Sequence, residues 1–191
     1  MGVRSDRKMI LKANIKPPKN ESTEHFFLKQ IAKIWLKVQK QCQYVASEVY
    51  LVGGNYVGRE AHIISDAVGV RKSHSRGDEY AYTVYNVEVK VSKPDYLTGF
   101  NTSGHYNWIM TPSGLLAIND LPDGIGLIEV DIHAFTWVNT HRPILKGVSV
   151  VKKSARQNID QYVIDRTLDE ICRRLTNDDV FNNPWVRCDN A

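Results

Sequence analysis

Residues 80–91 read YAYTVYNVEVKV, and this stretch decides the fold. β-Branched and aromatic residues fill it, which is typical of a β-strand. Because the side chains of a strand alternate between two faces, its last three valines are predicted to point together into a core. Glu88 and Lys90 then share the opposite face. The stretch therefore predicts a long strand that carries a carboxylate and an ammonium group side by side.

Two further apolar stretches precede this strand. They cover Tyr44–Val52 and Ala61–Val70, with a Gly-Gly-Asn break between them. The polar segment Lys72–Glu79 is typical of a hairpin connection. If that hairpin pairs the two strands that it joins, Asp66 lies near Glu88. The pattern allows this pairing without establishing its register.

Three helices are predicted from caps and from apolar periodicity. The first covers about 22–42, with Ser22 or its neighbour as the cap and apolar residues at helical spacing. The second is short, at about 92–101, and has a proline near its first turn. The third covers about 154–175 and carries an apolar stripe.

The remaining strands are predicted in the second half of the chain. Tyr106–Met110, Leu115–Ile118 and Gly126–Ile132 are expected to be extended, and Phe135–Val138 is expected to pair with Ile144–Val151 as an outer strand. The order of all elements predicts an α/β fold, with a mixed central sheet flanked by helices.

The chain is expected to form one domain with two polar ends. A basic, partly mobile arm is predicted at 1–20, a domain at 21–176 and a tail at 177–191. The arm is either a solvated tail or a segment that contacts phosphates. The net charge of +4 and the pI near 8.9 are compatible with a nucleic-acid partner but are a weak signal alone.

Cysteine spacing and hydropathy indicate the compartment. Cys42, Cys172 and Cys188 form neither a CxxC pair nor an even disulfide framework, which favours reduced thiols and a cytoplasmic protein. No apolar run approaches the ~20 residues that span a bilayer, and no signal-peptide core follows Met1. No membrane partner is therefore expected.

The acids and the lysine have the chemistry of a magnesium site. Mg²⁺ prefers oxygen ligands and keeps several waters, so Asp66 and Glu88 are candidate ligands and the carbonyl of Val89 is a candidate third. A bound metal, Mg²⁺ or in its place Mn²⁺, activates water and offsets phosphoryl charge. Lys90 would orient that water or stabilise developing negative charge. The opposing interpretation is an exposed Glu–Lys face on an edge strand and an Asp beside a turn.

Three short motifs together resemble those of the PD-(D/E)XK nuclease superfamily. They are Ile64–Val68 (ISDAV), Val87–Ser92 (VEVKVS) and Asp95–Leu97 (DYL), followed by strands at Trp108–Pro112 and Gly126–Val130. The pattern is nearest to that of the MmcB-like DNA-repair proteins, and the likeness covers residues from about 23 to 151.

The resemblance implies a restriction-endonuclease-like αβββαβ core. It also implies that Asp66 and Glu88 bind metal and that Lys90 is the catalytic lysine. The superfamily often adds a glutamate on the first helix, and Glu24 is the matching candidate here, although a favourable charge at a helix N-terminus explains it equally. The span between the two acids is longer than in compact members because of the insertion at Lys72–Glu79.

Other residues are candidates for supporting roles. Glu48, on the first strand, is either an additional acid of the site or a solvated strand residue. Basic residues near the predicted site or in loops are candidate nucleic-acid contacts: Lys72, Arg76, Lys93, Lys152 and Lys153. A zinc site built from histidines, Asp131-x-His133 with His105 or His141, is a further alternative, although its spacing fits no strong zinc template.

The expected function is a magnesium-dependent nuclease that hydrolyses phosphodiester bonds in nucleic acid, with DNA as the expected substrate in repair, recombination or phage DNA processing. The alternative is a module on the same fold that binds nucleic acid or protein and has little or no catalytic activity. The sequence leaves open the oligomeric state, including a homodimer, and the choice between DNA and RNA.

Overall fold

The structure is a computed structural model that describes residues 8–9, 17, 19, 21–51, 56–57, 64–74, 80–138 and 144–181. Three helices are described: α1 (Thr23–Val38), α2 (Lys93–Thr98) and α3 (Gln161–Phe181), with a 3-10 turn at Ile118–Asp120. The strands are β1 (Lys8–Met9), β2 (Tyr44–Tyr50), β3 (Tyr56–Val57), β4 (Ile64–His74), β5 (Tyr80–Val89), β6 (Phe100–Asn101), β7 (Tyr106–Pro112), β8 (Ile125–Val130), β9 (Thr136–Val138), β10 (Ile144–Lys146) and β11 (Val148–Lys152).

Six of the strands form a mixed sheet in the order β11-β8-β7-β5-β4-β2. Strands β2, β4 and β5 form an antiparallel meander, β5, β7 and β8 run parallel, and β11 returns antiparallel to β8. Strand β9 pairs with β1 and β10, and β3 pairs with β6. The predicted mixed α/β architecture with flanking helices is confirmed.

Helix α1 covers one face of the sheet. The hydroxyl of Ser22 accepts a hydrogen bond from the backbone of His25 at 3.1 Å and caps the helix, as predicted. Its apolar side chains, including Leu28 and Trp35, pack with Val87 and other sheet residues in a fully buried cluster. The ring of Trp35 meets the edge of Trp108 on β7, with centroids 5.2 Å apart.

Helix α1 ends four residues before the predicted boundary near Cys42. Gln39 is its C-cap, and Gln41 has a φ of 56°, a left-handed conformation that a continuing helix does not allow. The amide of Cys42 then donates to the carbonyl of Leu36 and leads the chain into β2. The helical spacing of apolar residues continues to Cys42, beyond the residue at which the backbone leaves the helix.

Helix α3 packs on the other face, where Ile164 and Ile171 join Val68 and Val84. It begins at Gln161 and not near residue 154. The preceding segment is not helical, because its backbone bonds to distant carbonyl groups: Gln157 donates to the His105 carbonyl, and Ala155 donates to the Gly124 carbonyl. The helix runs to Phe181, past its predicted end at about 175 and past the predicted domain boundary at 176.

Three strand predictions change in detail. Strand β4 extends to His74, so Lys72 belongs to the strand and not to the connection. Residues 115 and 116 form bends and Ile118 begins the 3-10 turn, so the predicted strand at 115–118 is wrong. The predicted strand 144–151 is divided at Gly147 (φ +74°), so that β10 pairs with β9, as predicted, while β11 joins the main sheet.

Several predictions lie outside the described residues. These include nearly all of the basic arm at 1–20, the break at 53–55, the loop at 75–79 with Arg76, and the tail from 182 onward. Within the part of the chain that the structure describes, no helix has the length and apolar composition needed to cross a membrane.

Candidate functional site

Three acidic residues lie in one row across β2, β4 and β5. In the β2–β4 pairing, the neighbours of Glu48 lie opposite the neighbours of Asp66, so Glu48 lies opposite Asp66. The β4–β5 register ends at Ala67↔Val87, and the next position along places Asp66 against Glu88. Residues opposite each other in antiparallel strands share a face. The predicted proximity of Asp66 and Glu88 therefore follows from the pairing itself.

Asp66 stands where the β4–β5 ladder ends. The backbone N–H of Val89 donates to Asp66 Oδ2 at 2.8 Å and so bonds to a side chain where the ladder would have supplied a carbonyl. The N–H and C=O of one residue in a strand point to the same side. The carbonyl of Val89 consequently faces the β4 side of β5, toward Asp66.

Glu88 is a buried carboxyl group that lacks a full set of partners. Its side chain is 3% exposed, and Oε1 has no hydrogen-bond partner. Burial, followed by the charge of Asp66, raises the pKa of Glu88 well above its ordinary value of 4.5, although Ser65, Lys90 and Asn86 oppose the shift. A cation next to this group would relieve both the burial and the repulsion.

Lys90 lies in the interior, 4% exposed, on the same side of β5 as Glu88. Its ammonium group is 3.3 Å from Asp95 Oδ1, and the other oxygen of Asp95 accepts from the Val91 amide at 3.1 Å. Asp95 itself is positioned at the start of α2, where its amide donates to the Ser92 hydroxyl. The position of Lys90 is therefore set by a residue that the sequence reasoning did not assign to the site.

A cleft of about 450 Å³ opens in front of Asp66. Its lining joins the start of α1 to two of the three acids and includes neither Glu88 nor Lys90: Glu21, Ser22, His25, Lys29, Glu48, Asp66 and Val91. Glu24, the predicted helix acid, is exposed and is not part of this lining, whereas Glu21 is. Glu48, the other candidate acid, does line the cleft.

Three residues that line the cleft but were not predicted as site residues share a regular spacing in the sequence. Glu21, His25 and Lys29 are four residues apart, so they occupy one face around the first turns of α1. This spacing was visible in the sequence. Nothing in it shows that this face, and not the one with Glu24, turns toward the strands.

The α1 wall of the cleft is tied together by ion pairs. His25 Nδ1 is 2.6 Å from Glu21 Oε1, and its Nε2 is 3.6 Å from Asp66 Oδ2. The ammonium group of Lys29 bridges Glu21 and Glu48 at 2.5 Å each. Glu48 has a φ of 54°, a left-handed conformation within a strand. These contacts place two cations among three carboxylates.

His25 is expected to stabilise the metal-free protein only while it is protonated. Burial alone lowers its pKa, but Asp66 and Glu21 outweigh burial and raise the pKa to about 9. The stabilisation is complete below the ordinary pKa of 6.5 and is lost as pH rises through about 9. In urea denaturation with EDTA, we expect His25→Gln to lose roughly 1–3 kcal/mol at pH 6.5 and little at pH 10. An NMR titration midpoint for His25 near 6.5 would contradict this.

The predicted nucleic-acid contacts have different surroundings. Lys93 and Lys153 are exposed, and Lys72 is half-buried on β4. The ammonium group of Lys152 donates to the carbonyls of Leu121 and Pro122, at 3.3 and 3.0 Å, and so has a structural role in this loop. Whether these lysines contact a nucleic acid stays a prediction.

The histidine alternative gains no support from the geometry. His105 is buried and its Nδ1 accepts from the Val84 amide at 3.1 Å. Asp131 accepts from the amides of His133 and Ala134 in a local turn. His141 lies outside the described residues. One ring nitrogen of His105 and one carboxylate oxygen of Asp131 are therefore already used in hydrogen bonds that compete with a metal.

The donor set suits magnesium better than a metal held by many side chains. Among the described residues, no three His, Cys, Asp or Glu side chains form a group arranged for a metal ion. Mg²⁺, however, is commonly held by one or two carboxylates, with waters completing its shell. Asp66, Glu88 with its unpartnered Oε1, and the Val89 carbonyl are donors of the kind that this requires.

Comparisons with known proteins leave the family of this chain undetermined. No family model matches the chain, and no curated protein matches it. Among solved structures, the chain is similar to a protein of unknown function from Silicibacter pomeroyi. The two are 12% identical, with a TM-score of 0.46, over 77% of this chain and 86% of the other.

Proposed function

We propose that this protein is a magnesium-dependent nuclease of the PD-(D/E)XK type that hydrolyses phosphodiester bonds in DNA. The observation that carries the proposal is Glu88, a buried carboxyl group with an unpartnered oxygen, next to Asp66 and Lys90. A structural carboxylate would be expected to have its hydrogen bonds satisfied. A carboxylate that lacks a partner beside a second acid is suited to a cation.

The element order supports a restriction-endonuclease-like core. Helix α1 is followed by the antiparallel meander of β2, β4 and β5, then by α2 and the parallel strand β7. This is the αβββαβ order that the sequence resemblance implies, with β3 and β6 as short additions. In this arrangement the acids lie on the second and third strands of the meander.

Each residue has a distinct proposed role. Asp66, Glu88 and the carbonyl of Val89 would hold Mg²⁺, and Mn²⁺ has the same ligand preference. The bound ion supplies a lowered pKa for water and charge compensation at the phosphate. Lys90 supplies a buried positive charge for the attacking oxygen or for the phosphoryl oxygens. Asp95 positions Lys90 through the 3.3 Å contact.

A cleavage assay tests the proposal. Plasmid, single-stranded and branched DNA are incubated with the full chain plus Mg²⁺ or Mn²⁺, and with EDTA as the metal-free control. We expect metal-dependent cleavage of at least one substrate and its loss in Asp66→Asn. Cleavage that persists in EDTA, or that Asp66→Asn leaves unchanged, would contradict a metal-dependent site at Asp66.

The second candidate is a module on the same fold that binds nucleic acid or protein without cleaving it. One observation favours it: Asp66 Oδ2 already has partners in the Val89 amide and in His25. Manganese binding measured by calorimetry separates the candidates. Binding without cleavage of any substrate favours this module, and cleavage together with binding favours the nuclease.

A further inference from the structure

Three basic side chains converge near the far end of α1 from the cleft. They are Lys40, just after α1, Arg71 on β4, and Arg156 in the segment before α3. We call these three residues the distal basic cluster. From Asp66 to Arg71 the strand spans about 17 Å. From His25 to the end of α1 the helix spans about 20 Å. The cluster is thus separate from the cleft.

The ring of Tyr85 lies close to two of these cations. The ammonium nitrogen of Lys40 is 5.9 Å from the centroid of its ring, and Cζ of Arg71 is 5.7 Å from it. Arg156 is placed nearby by its neighbour Gln157, whose amide donates to the carbonyl of His105 at 2.8 Å, and its charge opposes the raised pKa of Tyr85. Tyr106 stacks on Tyr85 with centroids 5.2 Å apart.

No acidic side chain compensates these charges among the described residues. None of the ion pairs in that part of the chain includes Lys40, Arg71 or Arg156. Burial, and then the charge of Arg71, lowers the pKa of Lys40, and Cys42 opposes the shift. In the cleft, carboxylates pair with His25 and Lys29, whereas in the described residues no carboxylate pairs with the distal basic cluster.

Arg71 also has an unused donor. Its Nε is buried and has no hydrogen-bond partner. The ammonium nitrogen of Lys40 lies over the rings of Trp35 and Trp108, 4.8 and 4.7 Å from their centroids, so aromatic faces and no described carboxylate hold this charge. An anion with several oxygens would satisfy both groups.

We propose that the distal basic cluster is a second phosphate-binding site, which holds the backbone of a nucleic-acid strand about 20 Å from the acids. The identity of the ligand rests on the proposed nuclease function, and the geometry of the cluster does not. Guanidinium groups pair well with phosphate oxygens, and an ammonium group adds a point charge. A strand that lies along α1 would contact both the cleft and the cluster.

The test is binding of a fluorescein-labelled 20-nucleotide DNA, single-stranded or duplex, measured by anisotropy in EDTA at several salt concentrations. Removing a phosphate contact lowers the slope of log Kd against log salt by about one. We expect this decrease in Arg156→Gln, and a decrease of about two to three in the triple variant K40Q/R71Q/R156Q. Lys146→Gln, which removes an exposed lysine on β10, is the matched control and keeps the wild-type slope.

Two outcomes would overturn the proposal. If Arg156→Gln and the triple variant bind DNA as Lys146→Gln does, the cluster holds no backbone phosphate. If the cluster variants lose binding of inorganic phosphate but not of DNA, the cluster serves a small phosphate ligand. Because Arg156 is exposed, its substitution keeps the test valid even if the triple variant does not fold.

Failure of this proposal and failure of the nuclease proposal give different results. DNA binding that depends on the cluster, without cleavage in Mg²⁺, supports the cluster and contradicts the nuclease. Metal-dependent cleavage with unchanged DNA affinity in the triple variant supports the nuclease and contradicts the cluster.

Discussion

Glu88→Gln is expected to abolish DNA cleavage and to make the metal-free protein more stable at neutral pH. Glutamine keeps the size of the side chain but cannot supply a negative charge to a metal. With several kcal/mol of charge stabilisation lost, we expect a decrease in cleavage rate of about 10³-fold or more, measured under single-turnover conditions.

The gain in stability follows from the direction of the pKa shift of Glu88. A carboxyl group whose pKa is raised by folding binds its proton more tightly in the native state. Its contribution is complete below its ordinary pKa of 4.5 and is lost as pH rises through the folded pKa. The free energy of unfolding of the metal-free wild type should therefore decrease over this range, and the decrease should be smaller in Glu88→Gln.

The melting temperature in the presence of Mg²⁺ is a second measurement on the same variant. A ligand that binds only the native state raises the melting temperature. We expect Mg²⁺ to raise the melting temperature of the wild type and to have little effect on Glu88→Gln. Glu129→Gln, an acid-to-amide change on β8 of the same sheet, is the control and should keep both cleavage and the response to Mg²⁺. Cleavage by Glu88→Gln within threefold of the wild type would remove Glu88 from the site.

Lys90→Met is expected to reduce the rate of cleavage by about 10²- to 10³-fold, with a smaller effect on substrate binding. Methionine replaces the buried stem but removes the only charge of the side chain. The lost charge normally lowers the pKa of Glu88, so the pH dependence of stability should also become steeper. The contact with Asp95 is lost as well, at a cost of about 1–2 kcal/mol.

A catalytic role and a structural role of Lys90 give different kinetics. If Lys90 acts on the reacting groups, kcat falls while KM changes little. If it only supports the fold, thermal stability falls and the rate per folded molecule is kept. Lys146→Met removes an exposed lysine of β10 and is expected to match the wild type in both measurements.

The sheet and the placement of its acids were largely readable from the sequence. Alternation in residues 80–91 placed Glu88 and Lys90 on one side of β5, away from the valine core, as the structure has them. The hairpin between β4 and β5 then sets Asp66 next to Glu88. Both inferences depend on local rules, namely the strand period and the pairing of neighbours in the chain.

The α1 side of the site depends on packing that no local rule supplies. Glu21, His25 and Lys29 line the cleft only because α1 lies across the sheet at one particular rotation. Glu24, one position before His25, faces solvent for the same reason. The late start of α3 has a similar origin, since contacts of Ala155 and Gln157 with distant backbone replace helical hydrogen bonds. Such tertiary preferences override propensity.

The central position of β5 has a consequence for how the protein tolerates change. Strand β5 is hydrogen-bonded along both edges, to β4 and to β7, and Glu88 with its neighbours is almost inaccessible to water. Amides in such a strand exchange with solvent only through the rarest and largest openings of the molecule. In the proposed nuclease, Glu88 would thus be carried by the most persistent part of the chain. Changes of substrate would then fall to α1, whose ion-paired wall lies outside the hydrogen-bonded ladder of the sheet.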